Sequence, residues 1–312
     1  MQKALFIVGP TASGKTGLAF KVSQKIPSIL IEADSVHVFR GTDIISGKDI
    51  PLGSKFVEDH YVVNSIPLYL IDQVSPTEEF SVFDFVNGVK KAVEKSISEN
   101  KIPIIVGGTR FFIDALTNKI DTLSIPQDSS LRKKLSSFSV DMLQKELKRQ
   151  DPEKSRSMNN SDVNNPRRLV RAIEVAGRRK KSKNKPLFRE DEILMIGLNA
   201  SYGYLKKKID ARLEKRLEQG ALEEAHKMFE NYEKLSEQIK NTHGFKQLFE
   251  HFKGKISFPE ALEKWRLSEY HLAKEQLAWL SRKPNVYKYN IEKPDIEAEV
   301  LKLIEQNFSS PG

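Results

Sequence analysis

An apolar segment that runs directly into a glycine-rich loop constrains this chain more than any other feature. Residues 4–8 are apolar and strand-sized, and the loop that follows them reads Gly9-Pro10-Thr11-Ala12-Ser13-Gly14-Lys15-Thr16. This spacing fits the P-loop, in which backbone N–H groups point at phosphate oxygens, the lysine adds a positive charge and the last hydroxyl binds Mg²⁺. The sequence therefore predicts a strand, a polyphosphate-binding loop and a helix, but the loop alone does not identify the phosphate compound.

Composition narrows the class of protein. The chain has 312 residues, enough for one large core and a smaller domain, and a formal net charge of +9. This charge favours a polyanionic partner, above all nucleic acid, with a merely solubilising surplus of lysine as the alternative. No cysteine is present, so disulfides, thiol nucleophiles and thiolate zinc sites are excluded. Short apolar runs, and no room for a signal peptide before residue 4, lead us to expect a cytosolic protein without a membrane segment.

Strand-like and helical patterns alternate along most of the chain. The strand-like runs lie at 4–8, 28–31, 68–71, 102–106, 193–198 and 286–289, and the helical patterns lie at 15–25, 83–99, 131–138, 141–150, 166–178, 204–232 and 258–282. Such alternation predicts an α/β fold with a doubly wound parallel sheet. The strand signal is missing from 118–189, so we interpret 1–117 and 190–312 as one P-loop core and 118–189 as a helical insertion domain. The charged run 178–185 is either a solvated linker or a phosphate-contacting arm.

Polar residues follow two further predicted strands. Asp34 follows the second strand, and Gly107-Gly108-Thr109 follows the fourth. Because the carboxyl ends of parallel strands face one crevice, we expect Asp34 and Thr109 to lie beside the P-loop. From the spacing alone, Asp34 or Asp72 could instead be a carboxylate that binds Mg²⁺, and Thr109 could cap a helix.

These segments, taken in order, resemble the motifs of one enzyme family. Motifs of the tRNA dimethylallyltransferases are similar to the P-loop, 33–35, 39–44, 79–85, 105–109, 165–168, 171–175, the Arg212–Gly220 segment and 244–247. The resemblance implies transfer of a dimethylallyl group from dimethylallyl diphosphate to N6 of adenosine 37, beside the anticodon of a tRNA. It also implies that the P-loop binds the diphosphate of the isoprenoid rather than ATP, with Mg²⁺ as the cofactor. We expect a monomer.

The resemblance also implies catalytic roles. Asp34 would be the general base that takes a proton from the weakly nucleophilic N6 amine. Thr109 would hold the bridging region of the diphosphate, and Arg212 would stabilise the departing diphosphate with Lys15 and with Mg²⁺ on Thr16. From the residues alone, Arg212 could equally be a surface arginine beside a stripe of leucines.

Contacts with tRNA are implied in four places. The target adenine must leave its stack to reach the diphosphate, as bases in RNA loops do when proteins recognise them. The implied contacts are Asp34, Ser35, Val36 and His37; Asn164, Asn165, Pro166, Arg167 and Arg168; Thr242, His243, Gly244, Phe245, Lys246 and Gln247; and Arg132 in the insertion. Arg171 lies one helical turn after Arg168 and would add phosphate charge on the same face.

The chain departs from the family at a few positions. Val36-His37 stand where the family commonly has Arg-Gln or a similar polar pair, and Arg110 follows Gly-Gly-Thr. His37 could hydrogen-bond to a base edge or could be a partly exposed histidine. Glu269 and Glu275 occupy a helix that tends to carry cations in the family, and they would weaken phosphate binding there.

Two other classes of function stay open. One is a small-molecule enzyme of the same fold, either an adenylate isopentenyltransferase or a P-loop kinase. The other is an RNA-binding relative without activity. The basic insertion argues against a free-nucleotide acceptor, and the presence of Lys15, Asp34 and Thr109 together argues against an inactive binder.

Overall fold

The computed structural model describes residues 4–120, 122–123, 125–176 and 185–308. All but the last residue of the charged run 178–185 lies outside these ranges. The chain divides into two compact units, one within 1–117 and 187–312 and the other within 118–186. The tRNA-contacting role of residues 118–189 stays a prediction.

The first unit is built on an eight-stranded sheet. In chain order its strands are β1 Ala4–Val8, β2 Ser28–Glu32, β3 Lys55–Val57, β4 His60–Val63, β5 Ile66–Tyr69, β6 Ile102–Gly107, β7 Ile193–Asn199 and β8 Tyr287–Asn290. Their order across the sheet is β3-β4-β5-β2-β6-β1-β7-β8. Neighbours from β5 to β8 run parallel, which confirms the predicted fold class. The antiparallel edge formed by β3, β4 and β5 was not predicted.

Helices of the first unit that precede the second unit follow the strand ends. They are α1 Lys15–Ser23, α2 Asp43–Ser46, α3 Val82–Ser98 and α4 Arg110–Thr117. Helix α3 begins at a capping box, in which the Ser81 hydroxyl accepts the Asp84 amide and the Asp84 carboxylate accepts the Ser81 amide. This reciprocal pair satisfies two backbone donors that a helix otherwise leaves free, so the predicted start at 83 was wrong by one residue.

The second unit is helical throughout its assigned elements. It contains α5 Ser129–Leu135, α6 Val140–Gln150, α7 Pro152–Ser157, α8 Asn160–Val163 and α9 Pro166–Ala176. A small core joins α6 to α9 through Leu143, Leu147, Leu169 and Ile173. The helices predicted at 131–138, 141–150 and 166–178 correspond to α5, α6 and α9, and the last two residues of the third prediction lie outside the described ranges.

After the second unit the chain re-enters the sheet and ends in helices. These are α10 Tyr202–Glu218, α11 Ala221–Phe229, α12 Glu237–Lys240, α13 Phe245–Phe252, α14 Phe258–Arg282 and α15 Ile296–Phe308. The prediction of one helix over 204–232 was wrong, because Gly220 adopts φ +99° between α10 and α11. Glycine takes this left-handed conformation without the strain that a Cβ would cause, and it commonly ends helices.

Helices cover both faces of the sheet with their apolar side chains. On one face, Phe6 and Ile31 pack in a cluster with side chains of α3, α4, α13 and α14. On the other, Leu5 and Leu30 pack in a second cluster with side chains of α1 and α15. Strands buried on both faces carry continuous apolar runs, which is why the central strands were visible in the sequence.

Candidate active site

Three neighbouring strands bring the P-loop, Asp34 and Thr109 to one edge of the sheet. The order β2-β6-β1 places the end of β6 between the ends of the other two, and all three strands are parallel. Asp34 follows β2, Thr109 follows β6 and the P-loop follows β1. The expected crevice at the carboxyl ends of the strands is therefore present.

The P-loop presents a half-buried lysine and a buried hydroxyl. The Lys15 ammonium donates to the Pro10 carbonyl oxygen at 2.7 Å. Burial lowers the pKa of Lys15 to about 8, while Glu32 and Asp34 raise it in part and Arg212 lowers it further. Within the described residues, the Ser13 hydroxyl is buried and has no hydrogen-bond partner. A buried hydroxyl of this kind fits an oxygen of a bound phosphate group.

The donor set at this loop also fits Mg²⁺. Magnesium keeps several waters and is usually held by one or two protein groups together with substrate phosphates. The half-buried Thr16 hydroxyl, at the start of α1, is placed to be such a group. In the described part of the chain, no group of three or more histidine, cysteine or carboxylate side chains could hold a metal ion.

Asp34 and Thr109 belong to one hydrogen-bonded turn. The Val36 amide donates to the Asp34 carboxylate at 2.9 Å, and the Ser35 amide donates to the Thr109 hydroxyl at 3.1 Å. Through this contact the Thr109 hydroxyl holds the turn that carries Asp34. Thr109 also lies directly before α4, in the position of a cap. The Thr109 hydroxyl retains a proton that it could donate to a ligand oxygen.

The surroundings of Asp34 favour its ionised form. Burial alone would raise the pKa of the Asp34 carboxyl, but the positive charge of His37, the Val36 amide, Lys15 and Arg212 together hold that pKa below its ordinary value. The carboxylate is therefore ready to accept a proton near neutral pH.

Arg212 reaches the P-loop from α10. Its guanidinium donates to the Thr11 hydroxyl at 3.3 Å and to the Gly47 carbonyl oxygen at 2.7 Å. It also pairs with the Asp49 carboxylate at 2.8 Å. The alternative of a surface arginine beside a leucine stripe is therefore wrong. A cation held over a phosphate-binding loop is suited to a developing negative charge.

Gln276, on α14, was missed by the sequence analysis. Its side-chain oxygen accepts the Thr11 amide at 2.7 Å, and its side-chain nitrogen donates to the Gly108 carbonyl oxygen at 3.0 Å. A Cβ on Gly108 would lie 2.5 Å from the Gln276 nitrogen, so the glycine is needed for this close approach. No local signal marks Gln276, because its partners lie more than 160 residues earlier in the chain.

Asp72 lies in a different environment. Its carboxylate pairs with the buried Lys48 ammonium and accepts the Tyr61 hydroxyl at 2.6 Å. Lys48 also contacts Asp43 at 2.6 Å and the Phe39 carbonyl oxygen at 2.7 Å. The alternative of Asp72 as an Mg²⁺ ligand at the P-loop is not supported, because the carboxylate is committed to this structural ion pair.

Comparisons with known proteins decide the family. A family model described as IPP transferase matches residues 37–283, which is most of the chain. The chain belongs to the IPP transferase family. That match begins after the P-loop and Asp34, but relatives extend over both segments. A protein of Acetivibrio thermocellus named tRNA dimethylallyltransferase is 30% identical over 326 residues, covering 100% of this chain and 99% of that protein.

Further relatives of this IPP transferase agree in length and fold. A Geotalea uraniireducens protein named tRNA dimethylallyltransferase 1 is 32% identical over 283 residues, covering 89% of this chain and 88% of that protein. A tRNA isopentenylpyrophosphate transferase from Bacillus halodurans is 26% identical with a TM-score of 0.71, covering 98% and 96% of the two chains. A eukaryotic dimethylallyltransferase described as acting on tRNA is 25% identical with a TM-score of 0.79, covering 98% of this chain and 79% of that one.

The structure separates the residues predicted to touch tRNA at 242–247 into two groups. Gly244, Phe245 and Gln247 are buried, and the Gln247 side chain accepts the Gly244 amide at 2.8 Å to cap α13. The buried side chains of Phe245 and Gln247 support α13, and contact of this segment with tRNA stays a prediction. Thr242 and His243 are half-buried and Lys246 is exposed, so these three can present side chains to a ligand.

His37 and Glu269 also differ from expectation in this IPP transferase. His37 is only 9% exposed, so it is not a partly exposed histidine, and its contact with a base edge stays a prediction. Glu269 is 8% exposed and pairs with the buried Arg216 at 3.2 Å. Its carboxylate is therefore committed to an ion pair within its own unit, and weaker phosphate binding through Glu269 stays a prediction. Ser35 and Val36 are half-buried next to Asp34.

In the second unit, some of the predicted contact residues form ion pairs within the unit, and others are exposed. Arg132 donates to the buried Glu174 carboxylate at 2.6 Å and 3.2 Å, and Arg171 contacts the same carboxylate at 3.0 Å. Both arginines therefore hold the fold of this unit together. The exposed members are Asn164, Pro166, Arg167 and Arg168, with Asn165 half-buried.

Within the described ranges, no helix has the length and apolar composition that crossing a membrane requires.

Proposed function

We infer that this chain is a tRNA dimethylallyltransferase, which transfers the dimethylallyl group of dimethylallyl diphosphate to N6 of adenosine 37 in a tRNA and leaves diphosphate. The observation that carries this conclusion is the meeting of the P-loop, Asp34, Thr109 and Arg212 at one sheet edge in an IPP transferase. Relatives of the same name align with nearly the whole chain. The choice of adenosine 37 as the acceptor is the most specific part of this proposal.

The diphosphate is proposed to lie on the P-loop. Its oxygens would accept the loop amides, the Lys15 ammonium and the Ser13 hydroxyl, with the Arg212 guanidinium on its other side. As the leaving group departs, negative charge builds up on these oxygens, and donors fixed before the reaction stabilise that charge without reorganising. Mg²⁺ bound through Thr16 would supply a further positive charge to the same oxygens.

Asp34 is proposed as the general base. The N6 lone pair of adenosine attacks C1 of the dimethylallyl group, and the C1–O bond breaks with its electron pair passing to the diphosphate. Asp34 accepts the proton that N6 loses as the new C–N bond forms. Thr109 keeps the Asp34 turn in place through the Ser35 amide and can donate its own proton to the diphosphate. General-base assistance of this kind contributes about 10²–10⁴-fold.

The tRNA is proposed to contact exposed or half-buried residues of both units, with each unit considered by itself. In the first unit these are Ser35, Val36, Thr242, His243 and Lys246. In the second unit they are Asn164, Asn165, Pro166, Arg167 and Arg168. Cations on such segments attract phosphates, whereas the splayed base is read at the crevice. The enzyme would act where tRNA is, in the cytosol, and its monomeric state stays a prediction.

A kinase or an adenylate-modifying enzyme is less well supported. A P-loop kinase needs a carboxylate beside the P-loop hydroxyl for its Mg²⁺, and Asp72 does not fit this role because it is tied to Lys48 and Tyr61. A free-nucleotide acceptor leaves the helical second unit without a use.

The deciding experiment measures transfer of labelled dimethylallyl from its diphosphate to an anticodon stem-loop that contains A37. Free AMP is the competing acceptor, and ATP hydrolysis is followed in parallel. We expect label in the RNA, and we expect Asp34→Asn to lower kcat by about 10²–10⁴-fold while the stem-loop still binds. Label in AMP, or hydrolysis of ATP without label in RNA, would overturn the proposed function.

A further inference from the structure

His37 lies three residues after Asp34 in the interior of the first unit. Its backbone oxygen accepts the Asp72 amide at 3.0 Å, which anchors the segment, and its side chain is only 11% exposed. The proposed reaction does not use this imidazole, and the sequence departs from the common family pattern at this position. A buried titratable group beside a proposed general base therefore needs its own explanation.

Both nitrogens of the His37 ring face acceptors. Nε2 lies 3.2 Å from the Ser46 carbonyl oxygen, and Nδ1 lies 3.5 Å from the Glu32 carboxylate, which is an ion-pair distance rather than a hydrogen bond. A carbonyl oxygen can only accept, and an ionised carboxylate can only accept. A neutral imidazole has one N–H donor, whereas the imidazolium has two. The geometry therefore favours the protonated ring.

The charges around the ring agree with this protonation. Glu32 is 4% exposed at the end of β2, so its carboxylate needs a positive partner in the interior. Burial lowers the pKa of His37, but the negative charges of Asp34 and Glu32 outweigh burial and hold that pKa above its ordinary value.

The cations that face this region come from two helices. They are Lys15 on α1 and Arg212 and Arg216 on α10; Arg212 opposes protonation of His37. Arg212 is already paired with Asp49, and Arg216 is paired with Glu269 and also donates to the Ser46 carbonyl oxygen at 3.3 Å. The His37 imidazolium, which lies on the same segment as Asp34, is thus the positive group that contacts Glu32.

We propose that His37 is a positioning residue, a buried imidazolium that ties the Asp34 segment to Glu32 and to the Ser46 carbonyl of α2 and keeps Asp34 ionised for proton removal from N6. This inference rests on the proposed role of Asp34. In this proposal His37 supports the general base Asp34 and does not recognise the tRNA. When the imidazolium loses a proton, at a pH above the ordinary value for histidine, the contact with Glu32 is lost and the rate falls.

The first test does not depend on activity. ¹⁵N NMR of the full chain labelled at histidine reports the protonation of each ring, with the exposed His271, 72% exposed, as the internal reference. We expect His37 to be an imidazolium near pH 7 and to lose its proton at a pH above the ordinary value for histidine. Glu32→Gln should lower the pH at which His37 titrates. A neutral His37 ring near pH 7 would overturn the proposal even if the transfer reaction is confirmed.

The second test separates positioning from simple stability. His37→Gln keeps an amide donor for the Ser46 oxygen but removes the charge, and His271→Gln is the matched control. We expect His37→Gln to lower kcat about tenfold, because the turn that carries Asp34 loses its tie to Glu32 and the base is held less accurately against N6, and to remove the alkaline decline of kcat. The KM for dimethylallyl diphosphate should change little. An unaltered pH profile in His37→Gln would contradict the proposal, while absence of transfer in the wild-type chain would contradict only the proposed function.

Discussion

At the scale of single residues, one buried amide holds two segments of the site together. Gln276 accepts the Thr11 amide and donates to the Gly108 carbonyl oxygen. It therefore fixes the P-loop relative to the end of β6, and both of its contacts are with backbone groups that cannot move away without leaving a polar atom unpaired. Each such unpaired group in an interior costs about 1–3 kcal/mol.

Gln276→Leu should weaken diphosphate binding as well as stability. The leucine fills a similar volume but leaves the Thr11 amide and the Gly108 carbonyl without partners, so the loop loses its fixed shape. We expect the KM for dimethylallyl diphosphate to rise about tenfold, the equivalent of about 1.4 kcal/mol. The matched control is Gln238→Leu, because Gln238 makes the same pair of backbone contacts with Phe80 at 2.7 Å and 2.8 Å. Equal melting-point losses with an unchanged KM in both variants would show that Gln276 is only structural.

The sequence predicted those site residues that lie next to a strand end. The P-loop, Asp34 and Thr109 were placed correctly because the carboxyl ends of parallel strands share one edge. Gln276 could not be found in this way, since a glutamine within a long helix carries no local signal of what it contacts. The burial of Phe245 and Gln247 was not foreseen, because a motif does not show which of its members form the core.

At the scale of elements, α10 and α14 are joined by a buried ion pair. Arg216 and Glu269 are 7% and 10% exposed in their side chains, and the Glu269 carboxylate also accepts the Trp265 indole N–H at 3.3 Å. Removing one partner of such a pair leaves a charge in the interior without compensation, which costs about 3–5 kcal/mol. The pair therefore limits which charges α14 can carry.

Glu269→Arg should destabilise the chain and should not improve tRNA binding. Two guanidinium groups would face each other in the interior, so we expect the free energy of unfolding to fall by about 3–5 kcal/mol in urea titrations. The control is Glu275→Arg on the same helix, where Glu275 is 59% exposed and pairs across one turn with His271. That change should stay within about 0.5 kcal/mol. A folded Glu269→Arg chain with wild-type stability and tighter tRNA binding would mean that Glu269 does weaken phosphate binding on this helix.

Element prediction succeeded where periodicity was strong. The bounds of α14 matched the prediction, because a long amphipathic stretch lies between a Ser257 cap and Lys283. The hairpin of β3 and β4 was missed, since β3 has three residues, all exposed, and therefore shows no alternation of apolar and polar side chains. The break between α10 and α11 was missed because apolar spacing continues across Gly220, whereas the backbone conformation there does not.

At the scale of the whole molecule, the net charge of +9 is the feature that most directly concerns tRNA. Many cations are already paired, as Arg132 and Arg171 are with Glu174. Total charge therefore overstates the number of phosphate contacts. Attraction to the polyanion acts over the whole surface, but only cations that touch phosphates release counterions on binding.

The salt dependence of tRNA affinity counts those contacts. Neutralising one phosphate changes the slope of log K against log salt by about 0.7 for single strands and about 0.9 for duplexes. Arg168 on α9 is 52% exposed and pairs with Asp162, and Arg149 on α6 is 71% exposed and pairs with Glu146. The two arginines are therefore matched in unit, exposure and ion pairing, and they differ in the helix that carries them.

We expect Arg168→Ala to reduce the slope by about one contact and Arg149→Ala to leave it unchanged. The measurement is a titration of the full chain with tRNA at several salt concentrations, because affinity at one concentration does not separate a lost phosphate contact from a general loss of charge. Both variants remove one positive charge, so a purely long-range effect would lower affinity equally in the two. A slope that changes only in Arg149→Ala would indicate that the RNA binds on the α6 side of the second unit. The segment 164–168 would then have no role in binding.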